Sequence, residues 1–323
     1  MMGKISVKRR KTPMKIVSDA YQADAVTHGN VFHADEILAT AILSKINPDL
    51  KVARVLKVPY NLKPNTIVYD VGYGELDHHQ KGGNGARPNG VPYASAGLVW
   101  RRFGFQVVCN TCDPQAVWEH VDRALVQGVD ATDCGAMPPV KYPSQPQTIS
   151  QTISGFYPTW DADLTPDANG LTAADYAFEK AVAFMTAVLD HNIEYAASVA
   201  KAKVAVQESI ERAERGVMLL NQYMPWKGTL MQDTSEQARA IRVVVYPDNR
   251  SGYAWCVVPN RALAPEQWRG LKGRNLQQIS GYKTAVFVHP AGFMGGAASQ
   301  VDALTMAYEV AANAEAILTE QSA

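Results

Sequence analysis

Four of the seven histidines, His28, His33, His78 and His79, fall between residues 28 and 79, interleaved with Asp35, Glu36, Asp70 and Asp77. A further acidic pair, Asp130 and Asp133, lies in Gly128-Val-Asp-Ala-Thr-Asp-Cys-Gly135. Imidazole and carboxylate without thiolate suit a hard-to-borderline divalent cation. This many histidines favours Mn²⁺, Co²⁺, Fe²⁺ or Zn²⁺ over Mg²⁺ alone. The supply exceeds what one tetrahedral ion needs and suits two ions about 3.5–4 Å apart that share a carboxylate. Such a pair acidifies a water and clamps a phosphoryl oxygen. Taken singly, each group has a plainer reading. His28 could be a strand-end hydrogen-bonding residue, Asp35-Glu36 a first-turn acid pair favoured by the helix dipole, and Asp77-His78-His79 a solvated turn. Together they point to chemistry, because all of them follow strands or turns of one predicted sheet.

A strand over 24–27 runs into His28-Gly29-Asn30. A helix follows, with Ile37, Leu38, Ala41, Ile42 and Leu43 toward one side and a stop near Asn47-Pro48. Residues 51–57 and 66–71 read as further strands, the second carrying Asp70 at its end. Ligands bind at the carboxyl ends of strands in parallel α/β sheets, which is where these residues fall. A helix near 93–103 is expected to close at Gly104. Asp113-Pro114 opens another to about Gln127, with Asp130 and Asp133 just after it. Residues 137–158 hold five prolines and read as one long loop. Residues 172–215 read as two consecutive helices with a seam of Ala177, Val182, Met185, Val188 and Leu189. Strands at 241–246, 253–258 and 284–289 precede a closing helix from Val301 to about Leu318, with Leu304, Tyr308, Ala311, Ala314 and Leu318 on one side. The expected fold is α/β. A parallel-sheet, metal-binding catalytic domain (16–170) is joined by helices (171–215) to a smaller α/β domain with an antiparallel or mixed sheet (216–323).

Thirty-one Lys and Arg balance 31 Asp and Glu, which excludes a whole-chain electrostatic grip on nucleic acid but not a local basic groove. No run of eighteen apolar residues exists, so no membrane is expected as a partner. The N-terminus lacks the apolar core of a secretion signal, and its basic run (Lys4 to Lys15) reads as a solvated tail. Four cysteines do not make a disulfide scaffold, so a cytoplasmic protein is expected. Cys109 and Cys112 read as small residues in a turn rather than a zinc or redox pair. The glycine-rich stretch 82–90 lacks the Lys-Ser/Thr ending of a phosphate-binding loop.

Asp77-His78-His79, with a strand-end acid before it and a His/Asp cluster near the N-terminus, resembles the DHH phosphoesterase superfamily. The likeness is closer to one branch, the melanocyte-proliferating-gene (Myg) family of metal-dependent hydrolases. It is carried by Thr27-His28-Gly-Asn-Val-Phe-His33-Ala-Asp35-Glu36, Val71-Gly72, Asp77-His78-His79-Gln80, Tyr93-Ala-Ser-Ala-Gly97-Leu98 and Val129-Asp130-Ala-Thr-Asp133-Cys-Gly135. Trp268-Arg269-Gly270-Leu271, Phe287-Val288-His289-Pro-Ala-Gly292-Phe293 and Gly295-Gly296 continue it. In the first motif the family's glycine stands one place early, at Gly29, and Asn30 takes its usual position.

The resemblance implies a DHH-type catalytic domain and a 3′–5′ exonuclease acting on RNA. It implies His28, His33, Asp35, Asp70, His78 and Asp133 as ligands of two divalent ions, with Asp70 bridging. Mn²⁺ is preferred and Mg²⁺ is the alternative. Asp77 is implied as the partner of His78, and His79 as the residue near the scissile phosphate. Asp130 remains an alternative to Asp133. Arg269, His289, Gly295 and Gly296 are the expected substrate contacts. Arg87, Lys272 and Arg274 are further basic candidates in a cleft between the domains, and Tyr73, Tyr93 and Trp268 are candidate stacking platforms. The expected substrate is a short single-stranded nucleic acid or another small phosphodiester, and a homo-oligomer is open. Gly295-Gly296-Ala297-Ala298-Ser299 departs from the family, which often has Asn or His and a basic residue after the glycines. The rival expectation is therefore a metal-containing binding or regulatory protein without catalysis.

Overall fold

The structure, a computed structural model, describes residues 14–137 and 146–320. Most of the basic N-terminal run, and Pro138, Pro139 and Pro143 of the expected loop, lie outside the described residues. The chain divides into two compact units, one up to Ala197 and one from Ser198 onward. Among the described residues no helix is long and apolar enough to cross a membrane.

The first unit is built on a parallel sheet of β1 (Lys15–Ile16), β2 (Ala25–His28), β3 (Lys51–Val55) and β4 (Ile67–Val68), in the order β1-β3-β2-β4. Between β2 and β3 runs α1 (Ala34–Ile46), capped at Asn47 close to the expected stop. Every residue from Ala34 to Ser44 is buried, so α1 is enclosed on all sides rather than amphipathic. It packs against α2 (Ser95–Val108), α4 (Gln127–Asp133) and α5 (Ile149–Ser154). Before α4 come α3 (Pro114–Val121), capped by Asp113 as expected, and a π-helical stretch over Asp122–Val126. Asp130 and Asp133 thus stand inside a helix rather than after one.

α2 does not end at Gly104. A side chain there would meet the Trp100 indole at 2.4 Å, so this glycine makes room for a buried ring in mid-helix. Gly97 is tighter still, since an added Cβ would lie 1.9 Å from Asp130 Oδ2 and 2.8 Å from Arg87 and Tyr93. Gly97→Ala is therefore expected to cost about 1–3 kcal/mol through overpacking. Thermal unfolding would show it, with a midpoint unchanged from wild type as the contrary result.

α6 (Ala173–Glu211) is a single helix of 39 residues where two are expected from sequence. No Gly or Pro interrupts it, and Asn192 turns its amide back onto Val188 O at 2.8 Å instead of breaking the helix. Its buried seam includes Ala177, Val182, Met185 and Leu189. The second unit holds β5 (Val217–Leu219), α7 (Lys227–Gln232), α8 (Glu236–Ala240), β6 (Val243–Asp248), β7 (Gly252–Val257), α9 (Gly273–Ser280), β8 (Ala285–Val288), β9 (Met294–Ala297) and α10 (Gln300–Glu320). Its sheet, ordered β5-β6-β7-β9-β8, is mixed: β5 and β6 are parallel and the other pairs antiparallel.

Strand alternation splits the second core in two. Val243, Val245, Trp255 and Val257 pack with Met306, Ala307 and Val310 of α10. Val244 packs with Val206 and Ile210 of α6, Leu230 of α7 and Ala238 of α8. The buried stripe of α10 is Ala303, Met306, Ala307, Val310 and Ala311; the expected Leu304 and Tyr308 flank it, partly buried.

Candidate metal centre

The functional side chains arrive at the carboxyl edge of the parallel sheet. His28 is the last residue of β2 and Asp70 stands two residues past β4. Asn30 is left-handed (φ 64°), a conformation that glycine adopts freely and that Asn tolerates better than most residues. Arg54 donates to Asn30 O and pairs with Asp175 Oδ1 at 2.9 Å. Its guanidinium lies over the rings of Phe32 and Phe178, which steadies the segment that carries His33. At the N-terminus of α1, Glu36 accepts the His33 backbone N–H on both carboxylate oxygens, at 2.9 and 2.8 Å.

The cluster is dense. His28 Nε2 lies 3.1 Å from both Glu36 Oε1 and Asp70 Oδ2. Asp70 Oδ1 accepts from Ser95 Oγ at 2.8 Å and stands 3.4 Å from His78 Nδ1 and 3.5 Å from His79 Nδ1. His78 Nε2 is 2.9 Å from Asp133 Oδ2, whose other oxygen is 3.9 Å from His33 Nδ1. Asp35, Glu36, Asp70 and Asp77 are buried, whereas His33 and His79 are half exposed. Four overlapping sets of His, Asp and Glu have ligand atoms within 4.8 Å of one another and could hold a metal ion. Together they contain all eight residues expected at the centre, and they add Glu36.

Asp133 belongs to this group. Asp130 instead accepts from Arg87 Nη1 at 2.8 Å and from the Gly97 N–H at 2.9 Å. Arg87 is likewise not a free basic residue: it is buried, it also binds Asp122 through Nε and Nη2, and it lies over the Tyr93 ring. Asp77 serves His79 rather than His78, accepting from its backbone N–H at 3.1 Å and its Nδ1 at 2.8 Å. The same carboxylate accepts from the Tyr73 N–H at 2.7 Å.

The electrostatics describe a site made for positive charge. Burial opposes ionisation of His28, yet Asp70 and Glu36 push its pKa up to about 11. His78 is raised to about 10 by Asp133 and Asp70, again against burial. Asp70 is held well below the usual carboxylate range by His28, His78 and Ser95 despite its burial. Asp35 moves the other way: burial, then the charges of Asp70, Glu36 and Asp133, push it well above its ordinary value.

Hydrogen bonding makes the same point. Neither carboxylate oxygen of Asp35 has a hydrogen-bond partner, and Asp70 Oδ2 has none. His28 Nδ1 lies 2.8 Å from the Gly29 carbonyl oxygen and donates to it, which turns Nε2 toward the carboxylates of Glu36 and Asp70. Metal-binding histidines are set in this way, with the far nitrogen donating to a backbone carbonyl. Buried acceptors without donors are costly, and a cation is what this donor set lacks.

In the second unit, Arg269 donates to Ala264 O at 2.9 Å, and the His289 ring lies 4.3 Å from that of Phe293, between centroids. Gly295 and Gly296 sit on β9. A Cβ at the first would meet Trp255 at 2.4 Å and at the second Ser251 Oγ at 2.5 Å, so packing alone accounts for both glycines. Trp268 is buried against Tyr282 and offers no open face for stacking.

A family model described as "Uncharacterised protein family (UPF0160)", under the name MYG1_exonuc, matches residues 24–310. This chain belongs to the MYG1 family. A MYG1 protein of Schizosaccharomyces pombe is 30% identical to it, covering 87% of this chain and 95% of the yeast protein. The protein named MYG1 exonuclease in Rattus norvegicus is 30% identical over 87% of this chain and 82% of its own length. Its Homo sapiens counterpart of the same name is 28% identical over 87% and 84%. No solved structure matches the chain significantly. The MYG1 match spans both units, so the His/Asp centre and the β8–β9 region both lie within the family's extent.

Proposed function

We infer that this MYG1 protein is a metal-dependent phosphodiesterase of the DHH type that removes nucleotides from the 3′ end of short single-stranded RNA. The observation that carries the reading is the convergence of three His and three Asp on one sheet edge, with buried carboxylate oxygens that have no donor. Relatives named MYG1 exonuclease support the reaction class. His28, His33, Asp35, Asp70, His78 and Asp133 would hold two divalent ions, Mn²⁺ in preference to Mg²⁺, with Glu36 as an added donor beside His28. Such ions supply Lewis-acid charge for phosphoryl oxygens and a water acidified to near neutral pH. Asp77 fixes the tautomer of His79 by accepting from Nδ1, so Nε2 is the nitrogen free to meet the phosphoryl group or leaving oxygen. Arg269 and His289 are assigned to substrate binding, and the whole chain to the cytoplasm.

Zero net charge gives no long-range draw on long nucleic acid, and duplexes are not splayed cheaply into a cavity. A labelled pentaribonucleotide, its matched duplex and inorganic pyrophosphate, assayed side by side with Mn²⁺, test this. The single strand is expected to turn over at least about tenfold faster than either rival, a gap one to two lost stacking contacts would produce. Fastest turnover of pyrophosphate, or equal cutting of the duplex, would overturn the assignment. No turnover of any of the three would favour a binding protein.

A further inference from the structure

The centre opens on two sides. A cavity of about 720 Å³ borders Gly82, Gly83, Gly85, Ser150 and Ser154. A second, of about 510 Å³, borders Val31, Leu56, Lys57 and Tyr73. His33 and His79 line both, so they stand as the partition between them. The first wall combines glycine backbone and the Ser150 and Ser154 hydroxyls with Pro92 and Tyr93. The second is aromatic and aliphatic, with one ammonium group, and its volume falls in the range of small-molecule sites, about 300–1,000 Å³.

Of three aromatic residues suited to stacking, the structure leaves one. Trp268 is buried, and the Tyr93 ring already lies against the guanidinium groups of Arg87 and Arg101. Tyr73 is 73% exposed. Its backbone is left-handed (φ 58°) and clamped to Asp77, the carboxylate that also fixes His79. A β-carbon-bearing residue is rarely held this way, and here the clamp sets an open ring at a fixed place beside the centre. Leu56 (77% exposed) and Val31 (49% exposed) line the same cavity. Lys57 has no ion pair with a carboxylate among the described residues.

We propose that this second cavity is the subsite for the base of the terminal nucleotide, stacked on Tyr73 between Leu56 and Val31, with Lys57 at the phosphate edge. The proposal rests on the exonuclease reading. It assigns the larger cavity to the remaining chain, so His33 and His79 flank the bond between the two. Because stacking uses the face that every base has, the subsite accepts any of the four bases.

The test compares a pentaribonucleotide with the same strand ending in an abasic 3′ residue, using wild type, Tyr73→Ala and Tyr73→Phe in the full chain with Mn²⁺. Wild type is expected to lose about tenfold or more in kcat/KM on the abasic strand, mainly through KM, as loss of one stacked base would produce. Tyr73→Ala should show that loss on the normal strand and little further loss on the abasic one, while Tyr73→Phe should behave as wild type. Equal cutting of both strands by wild type would overturn the subsite and leave the exonuclease reading standing. So would a Tyr73→Ala loss that is the same on both strands. Failure of wild type to cut either strand would overturn the reading itself, and the subsite with it.

Discussion

Asp70→Asn is expected to release metal and abolish hydrolysis together. Asp70 is the hub of the cluster: within 3.5 Å of its carboxylate lie His28, His78, His79 and the Ser95 hydroxyl. An amide keeps the shape but removes the charge and turns one ligand oxygen into a donor. The backbone should tolerate the change, because Asp70 is left-handed (φ 55°) and Asn adopts that conformation as readily as Asp. Even partners that only orient a metal ligand are worth about 10–100-fold in affinity or activity, so loss of a ligand should exceed about 100-fold. Metal analysis and rate should fall in step. A variant that keeps the wild-type metal content would remove Asp70 from the centre.

Asp35→Asn should do something less usual: stabilise the metal-free protein while destroying its activity. Asp35 is fully buried with neither oxygen partnered, so without a cation it is a cost to the fold. The sign follows from its pKa, which folding raises well above the ordinary 3.8. The folded state holds the proton more tightly than the unfolded one. Stability is therefore complete below the unfolded value and declines as pH rises through and beyond it toward the folded pKa. Asn carries no charge at any pH and escapes that decline. At neutral pH in EDTA, Asp35→Asn is expected to gain about 1–3 kcal/mol, or roughly 2–10 °C in Tm. The gain should shrink to nothing near pH 4, and Mn²⁺ should no longer raise the Tm as it does in wild type. A variant less stable than wild type in EDTA would show that Asp35 is satisfied without a cation.

The clustering of His and Asp was legible because those residues are crowded and placed at strand ends, and because the motifs around His28 and Asp77 are specific. Finer roles needed coordinates. Glu36 reads as a first-turn acid, and only its 3.1 Å approach to His28 shows it as a donor to the site. Arg87 reads as a surface cation, since no local pattern reveals that Asp122 and Asp130 enclose it across 35 and 43 residues. Gly104 reads as a helix stop because a terminal glycine and one that relieves a clash with Trp100 look the same in sequence. The strands missed were β1, β5 and β9. The first two are two and three residues long, and β9 reads Met-Gly-Gly-Ala, where packing against Trp255 overrides weak strand propensity.

One time course tests metal-dependent 3′–5′ cleavage most directly. A 5′-labelled pentaribonucleotide is incubated with the full chain after exhaustive EDTA treatment, with and without added Mn²⁺, and resolved at single-nucleotide steps. No cleavage is expected in EDTA and, once Mn²⁺ is restored, a ladder that shortens one nucleotide at a time from the 3′ end. A ladder of the same rate in EDTA, or an intact strand in Mn²⁺, would contradict this reading.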